Sequence, residues 1–544
     1  MSSNTDEQPN LQRGSLWLHS WLGLLLGWLC YLIFFTGTLS FYRTELSFWS
    51  IPEAHVSAGP RIDFEPIFRY LDQHASGAKS WTIQLPTERD SGVIARWIKP
   101  APDNKDRNVR QTVRLDPITG KAIEYRESRL FNMLYRMHIE LYGIPRVAGR
   151  WVVGITAFAM FIALVSGIII HKRIFKDMFT FQPKKKLRSW LDLHNVAAVL
   201  ALPLHIVLTY SGLMLFMYMM MPWGVEAALG ADRSAMTKVT GGKFGHSEFV
   251  VPSHPSIEMP AQLTLPNVLS QLLVHPNMTK NWQNGVSSIE IRQPQSSQQN
   301  IIVWEQGADT ILNRARSNRW HFDSQTGQLL KVEKTKVMEG STVKIYNAMT
   351  ALHMQRYAKP VQRALFFIGG LLGTLMVGSG LHIWLEKRPV KKNTEYKVRF
   401  GLVLTKGLNV AFLVGFPTAM VFSMWLNRLL PIGFVERSLT EINGFLVFWM
   451  MTLFWGLCRP YKEALSELTL LCGVFLLTLF FYNVYFLYPS IGMGNAGWLG
   501  VPRSIQLIDL TIFVSAGGCL FFGHRNHPRL IEQGASRQKR KSTV

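Results

Sequence analysis

The sequence predicts an α-helical integral membrane protein with about eight transmembrane helices, two small α+β domains outside the bilayer, and a duplicated first half. Three observations predict this. The 544 residues are 48% hydrophobic yet include 58 Lys and Arg, too apolar for a soluble chain and too charged for one lying wholly in lipid. Eight apolar runs approach the roughly 20 residues needed to cross a hydrocarbon core. Finally, "LHSWLGLLLGWLCYLIFFTGTLSFY" (18–42) is echoed by "LHNVAAVLALPLHIVLTYSGLMLFMY" (193–218). In each, a Leu-His pair is followed by a hydroxyl-glycine pair, with Gly37 and Gly212 both eighteen residues after their histidines.

The runs fall at 18–42, 151–170, 191–221, 364–385, 401–425, 443–457, 465–488 and 504–523, the sixth being the shortest. The first is too long for a removed signal peptide and lacks a small-residue cleavage site, so it reads as a retained span. Pro203 and Pro417 predict kinks, but no broken-helix pattern of the transporter kind is expected.

Charge sets the orientation. Residues 171–189 and 386–406 carry seven Lys or Arg each, and the tail from Gly523 carries six. All three fall on one side if the chain starts inside and crosses eight times, which places both termini in the cytoplasm. The net charge of +23 thus belongs to juxtamembrane loops, not to a nucleic-acid surface. Cys30, Cys458, Cys472 and Cys519 lie in or beside apolar runs and read as small hydrophobes. The lack of C-x-x-C-H excludes the usual covalent haem attachment.

The resulting division is a cytoplasmic tail (1–15), span one (16–42), an outer domain (43–135), a His segment with span two (136–172) and a cytoplasmic loop (173–189). Span three (190–221), a second outer domain (222–350), a His segment with span four (351–386) and a second loop (387–400) repeat that order. Spans five to eight (401–523) and a basic cytoplasmic tail (524–544) complete the chain.

Each outer domain opens with a helix-like stretch, "FEPIFRYLDQH" or "LTLPNVLSQLLVH". Alternating segments follow, as in half-buried strands: "SWTIQLP", "GVIARWIKP" and "NVRQTVRLDPITGKAIEY" in the first, "VSSIEIRQP", "QNIIVWEQ" and "NRWHFDSQTGQLLKV" in the second. "LDPITGKAI" and "FDSQTGQLL" predict equivalent tight turns at Asp116–Gly120 and Asp323–Gly327. The copies share one orientation, which predicts a pseudo-two-fold axis along the membrane normal.

The order Leu-His…Thr/Ser-Gly, outer domain with D-x-x-T-G, then a histidine before the next span, all given twice, resembles the PepSY-associated transmembrane family over about residues 15–390. That family includes iron-regulated inner-membrane proteins and haem-containing siderophore reductases. The resemblance implies PepSY-like outer domains, residence in a bacterial inner membrane and a ferric siderophore or other ferric chelate as substrate.

Histidines at the edge of a membrane are functional candidates by default. His19 and His194 start spans one and three, while His138 and His353 precede spans two and four. Across a pseudo-two-fold these form two facing pairs, as two b-type haems with paired axial imidazoles require. His171, His382 and His205 are alternative ligands. Tyr142, Arg146, Arg356 and Tyr357 lie near the outer pair as candidate substrate contacts. Zinc fits less well, since it needs three or four ligands.

No nucleotide fingerprint is present and the inner loops are too short for a flavin domain, so electrons must come from a separate cytoplasmic reductase or from quinol. The expected activity is therefore transmembrane reduction of ferric chelates. The rival readings are a regulatory or binding protein with peptidase-restraining modules, a siderophore transporter, and a quinone-linked haem oxidoreductase.

Overall fold

A computed structural model describes residues 7–55, 62–101, 108–171, 186–221, 247–250, 285–294, 299–306, 318–324, 329–335, 341–355, 357–388, 396–491 and 494–527, with isolated positions 223, 227 and 311. All eight apolar runs are helical. The first is a pair, α1 (Glu7–Leu25) and α2 (Gly27–Ser40), followed by the short α3 (Arg43–Trp49). After the first hydrophilic stretch come α5 (Leu130–Glu140) and the long α6 (Arg146–Ile170). The second copy gives α7 (Lys186–Leu200), α8 (Leu202–Met220), α9 (Ser341–Met354) and α10 (Pro360–Glu386). Six helices are long and apolar enough to span a membrane, or eight if each bent pair counts as one span.

The bent pairs correct one expectation. Helices α1 and α2 meet at 67°, and α7 and α8 at 68°. Leu26 and Ala201, at the two breaks, each lie seven residues past their copy's first histidine. Sharply bent apolar helix pairs are therefore present, and they obey the duplication. In the second copy Pro203 supplies the cause, since it has no N–H to continue the helical ladder. In the first copy no proline is near, and Gly27 packs tightly under Leu381 instead.

The two hydrophilic stretches do not form separate sheets. Strands β1 (Ser80–Gln84), β2 (Val93–Pro100) and β3 (Asn108–Leu115) from the first join β4 (Ser247–Val250), β5 (Val286–Arg292), β6 (Asn300–Glu305), β7 (Arg319–Asp323) and β8 (Leu329–Thr335) from the second. One eight-stranded sheet results, ordered β3-β2-β1-β5-β6-β7-β8-β4. The seam is the antiparallel β1–β5 pair, with Trp81 opposite Ile291 and Ile83 opposite Ile289. Pairing two exposed edges removes both, which is the physical reason for the merger. Helix α4 (Phe64–His74), capped by Asp63, lays Ile67, Phe68 and Leu71 into a core shared with Trp81, Ile83, Ile289 and Ile301.

The Asp116 turn forms as expected: Oδ1 accepts from the Ile118 and Thr119 amides, and Gly120 has φ +66°. A side chain at Gly120 would collide with the Pro66 backbone. Its counterpart at Gln325–Gly327, the helix-like stretch at 263–275 and the basic segments at 172–185 and 528–544 lie outside the described residues.

The last four spans are α11 (Tyr396–Val410) with α12 (Phe416–Leu429), α13 (Arg437–Cys458), α14 (Tyr461–Tyr482) with the short α15 (Tyr488–Ser490), and α16 (Arg503–Arg525). Single π-helical turns join α11 to α12 at Ala411–Gly415, just before Pro417, and α14 to α15 at Asn483–Leu487. This bundle packs on α2, α3 and α5 of the first copy through a buried polar network. The Arg428 guanidinium donates to Asn483 Oδ1 and the Trp49 carbonyl, and Asp509 accepts from Trp49, Asn483 and Tyr488.

Candidate functional site

The helices bring the four candidate histidines together as two pairs. His19 on α1 faces His194 on α7, with ring centres 6.3 Å apart and ring planes at 87°. His138 on α5 faces His353 on α9, with centres 6.0 Å apart and planes at 22°. Two imidazoles on opposite sides of one metal, each with a metal–nitrogen bond of about 2 Å and about 1.1 Å more to the ring centre, place those centres about 6 Å apart. Both pairs have that separation.

Each imidazole is held in the same way. The Nδ1–H of His19 donates to the Ala163 carbonyl at 2.9 Å, and that of His194 to Met376 at 2.7 Å. His138 uses the Ile33 carbonyl at 2.9 Å, and His353 uses Leu208 at 3.0 Å. All four acceptors lie four residues before a glycine that follows Ser or Thr: Gly167, Gly380, Gly37 and Gly212. The missing side chain opens a groove that lets the ring reach a carbonyl already used by its own helix.

The fit is close. An added Cβ would stand 2.7 Å from His138 Cε1 at Gly37, 3.1 Å from His353 at Gly212, 3.2 Å from His194 at Gly380 and 3.5 Å from His19 at Gly167. Ser166, Ser379 and Ser211 also bring their hydroxyls to Nδ1, at 3.3, 3.4 and 3.0 Å. Thr36, in the fourth position, donates instead to the Leu32 carbonyl.

Sequence reading missed this cradle, although its signal was in plain view. The hydroxyl-glycine pair of span one serves the histidine before span two, and the one ending span two serves the histidine of span one. Each copy is thus a closed unit holding one histidine at each level.

A backbone bond at Nδ1 fixes the tautomer and leaves Nε2 as the free donor, the usual arrangement of a metal-binding histidine. Burial holds His138 below its ordinary pKa, and burial with His138 beside it holds His353 at about 4, so both rings are neutral as ligation requires. Among the described residues, no group of three or more His, Cys, Asp and Glu side chains converges. Paired donors alone suit a metal whose other positions are already filled, as in a porphyrin. Between His19 and His194 lies a cavity of about 430 Å³, within the range of cofactor sites, roughly 300–1,000 Å³.

The other candidates are placed elsewhere. His382 is buried and bonded to the Tyr461 hydroxyl at 2.9 Å, with Trp190 beside it. His205 is buried mid-span, its Nε2 bonded to the Gly369 carbonyl at 3.1 Å. His171 sits exposed at the end of α6, on the rim of the cavity. Arg146 pairs with buried Glu140, two residues past His138, which also binds Arg136 and Arg150. The Arg136 guanidinium lies 5.1 Å over the Tyr142 ring. Tyr357 is half-buried just after α9, and Arg356 lies outside the described residues.

No curated protein matches the chain. The model of the PepSY-associated TM region matches residues 16–387, from the first span to the end of α10, and so takes in both copies and all four paired histidines. Since that match covers more than half of the sequence, the chain belongs to the PepSY-associated transmembrane family.

Proposed function

We propose that the protein is a di-haem b-type electron-transfer protein of the bacterial inner membrane that reduces ferric siderophores at its periplasmic face. The observation that carries this reading is the pair of imidazole pairs, each with metal-bridging separation and backbone-tied Nδ1. His19 and His194 would hold one haem, and His138 and His353 the other. Bound haem supplies reversible one-electron chemistry between Fe(III) and Fe(II).

The chain's own residues do the rest. Four carbonyl–imidazole bonds orient the Nε2 lone pairs. Glu140 carries one negative charge among three arginines, so the surface beside the outer pair is net positive and favours an anionic chelate. A ferrous product binds hard oxygen ligands more weakly, which releases the iron. Electrons would enter at the inner pair from a separate reductase or from quinol.

The test begins with a visible spectrum of the purified protein before and after dithionite, expected to show low-spin b-type haem. Mixed anaerobically with a ferric siderophore, the reduced protein should reoxidise while a ferrous trap reports Fe²⁺. Wild-type protein that stays reduced beside every ferric chelate but reoxidises with quinone would move the reading to a quinone-linked role. The two bent spans favour a second reading, carriage of the chelate itself. Uptake into vesicles without any reductant would establish that one.

A further inference from the structure

The inner cavity is chemically polarised. Its deep wall, drawn from the middle of the spans, is Leu26, Gly27, Cys30, Met160 and Leu202. Its rim, at the ends of α6 and α10, holds His171, Lys387 and Arg388. Among the described residues lining it there is no Asp or Glu, so its fixed charge is wholly positive and confined to the rim. The neighbouring Glu386 is turned to Lys462, at 3.4 Å.

A cation ending a helix is ordinary, because it complements the helix dipole. Here that accounts for two cations beyond α10 but not for their placement on the mouth of a cavity that also contains two facing imidazoles. The Arg388 guanidinium is stacked 4.1 Å over the Trp384 ring and donates to its carbonyl, which fixes it at the rim. Lys387 is exposed beside it.

A b-type haem is itself polarised, with two carboxylates on one edge and an apolar opposite edge. We propose that Lys387 and Arg388 receive the carboxylates of a haem held by His19 and His194, setting it edge-on with its apolar edge toward Leu26, Cys30 and Leu202. This rests on the haem reading above. It makes the carboxylate edge the accessible side of the inner haem, and therefore the side an electron donor meets. The reversed orientation would bury two carboxylates against hydrocarbon without a partner, at prohibitive cost.

The test uses the full-length protein from haem-limited cells in a His353→Ala background, so that only the inner pair reports. It is titrated with haemin and with haemin dimethyl ester, which lacks the free carboxylates. The parent should bind haemin about tenfold tighter than the ester or better, as charge-assisted contacts predict. Lys387→Gln with Arg388→Gln should bind both alike, at the level of the ester, whose unchanged affinity reports an intact fold. The charge-conserving pair Lys387→Arg with Arg388→Lys should keep the preference.

A parent without preference, a Gln pair that retains it, or a charge-conserving pair that loses it would each overturn the assignment. Failure of both porphyrins to give a paired-imidazole spectrum in the parent would instead remove the haem reading itself.

Discussion

The inner and outer histidine pairs are held alike and oriented differently. Separation is nearly equal, 6.3 against 6.0 Å, because all four rings rest in the same glycine groove and reach a carbonyl four residues before the glycine. Orientation is not shared: the inner planes are near perpendicular at 87° and the outer near parallel at 22°. The inner histidines ride on the bent spans themselves, whereas the outer ones ride on the short helices α5 and α9 laid against α2 and α8. Duplication therefore fixes the distance across the axis, while the carrying helix sets the plane of the ring.

The largest effect should come from removing a ligand. His138→Ala and His353→Ala should each abolish the same haem and leave the other, and His19→Ala and His194→Ala should do the converse. Haem content per chain would fall from two to one in every case, measured by pyridine haemochrome. Four variants that each keep both haems would break the pairing.

The glycine grooves give a graded series. Replacing Gly37 by Ala puts a methyl closest to its imidazole, at 2.7 Å, where something must move. Gly212→Ala and Gly380→Ala, at 3.1 and 3.2 Å, should perturb less, and Gly167→Ala, at 3.5 Å, should be tolerated. Haem retention after detergent washing should follow that order. The outer site should suffer from Gly37→Ala and Gly212→Ala, and the inner from Gly380→Ala. A loss unrelated to distance would mean the grooves do not position the rings.

The ring planes predict a difference without any substitution. Electron paramagnetic resonance of the oxidised protein should show two low-spin ferric signals, a strongly anisotropic one from perpendicular ligand planes and a more rhombic one from near-parallel planes. His353→Ala should remove the rhombic signal. Two identical signals would show that the pairs converge on one geometry when loaded.

Much of this was legible in the sequence because its signals are local. Alternation of apolar and polar residues located β1 to β3 and β5 to β8 but not β4, and each apolar run coincides with a long helix or a bent helix pair. What was not legible depends on contacts distant in sequence. The β1–β5 seam joins strands about two hundred residues apart, and an exposed edge carries no mark of the edge it will meet. The break at Ala201 was signalled by Pro203, while its partner at Leu26 has only Gly27 and is visible through the repeat alone. In the last four spans, Asp509 inside the eighth run and Arg428 and Glu441 just beyond the fifth and before the sixth were a signal the sequence reading did not use, since charges in or beside spans demand partners. Their partners lie in α3 and the segment before α5, which no pattern within the bundle reveals.

That bundle bears on the comparison through one hydrogen bond. Ser128 Oγ donates at 2.6 Å to Glu441 Oε2, whose other oxygen accepts from Asn427 and Arg437. Ser128 lies two residues before α5, the helix that carries His138. Ser128→Ala removes this bond at a cost of about 1 kcal/mol and loosens only the start of α5. The rhombic signal should broaden slightly, the anisotropic signal should stay unchanged, and both haems should be retained. An equal change in both signals would mean that the bundle steadies the whole duplicated half and not one ligand of one pair.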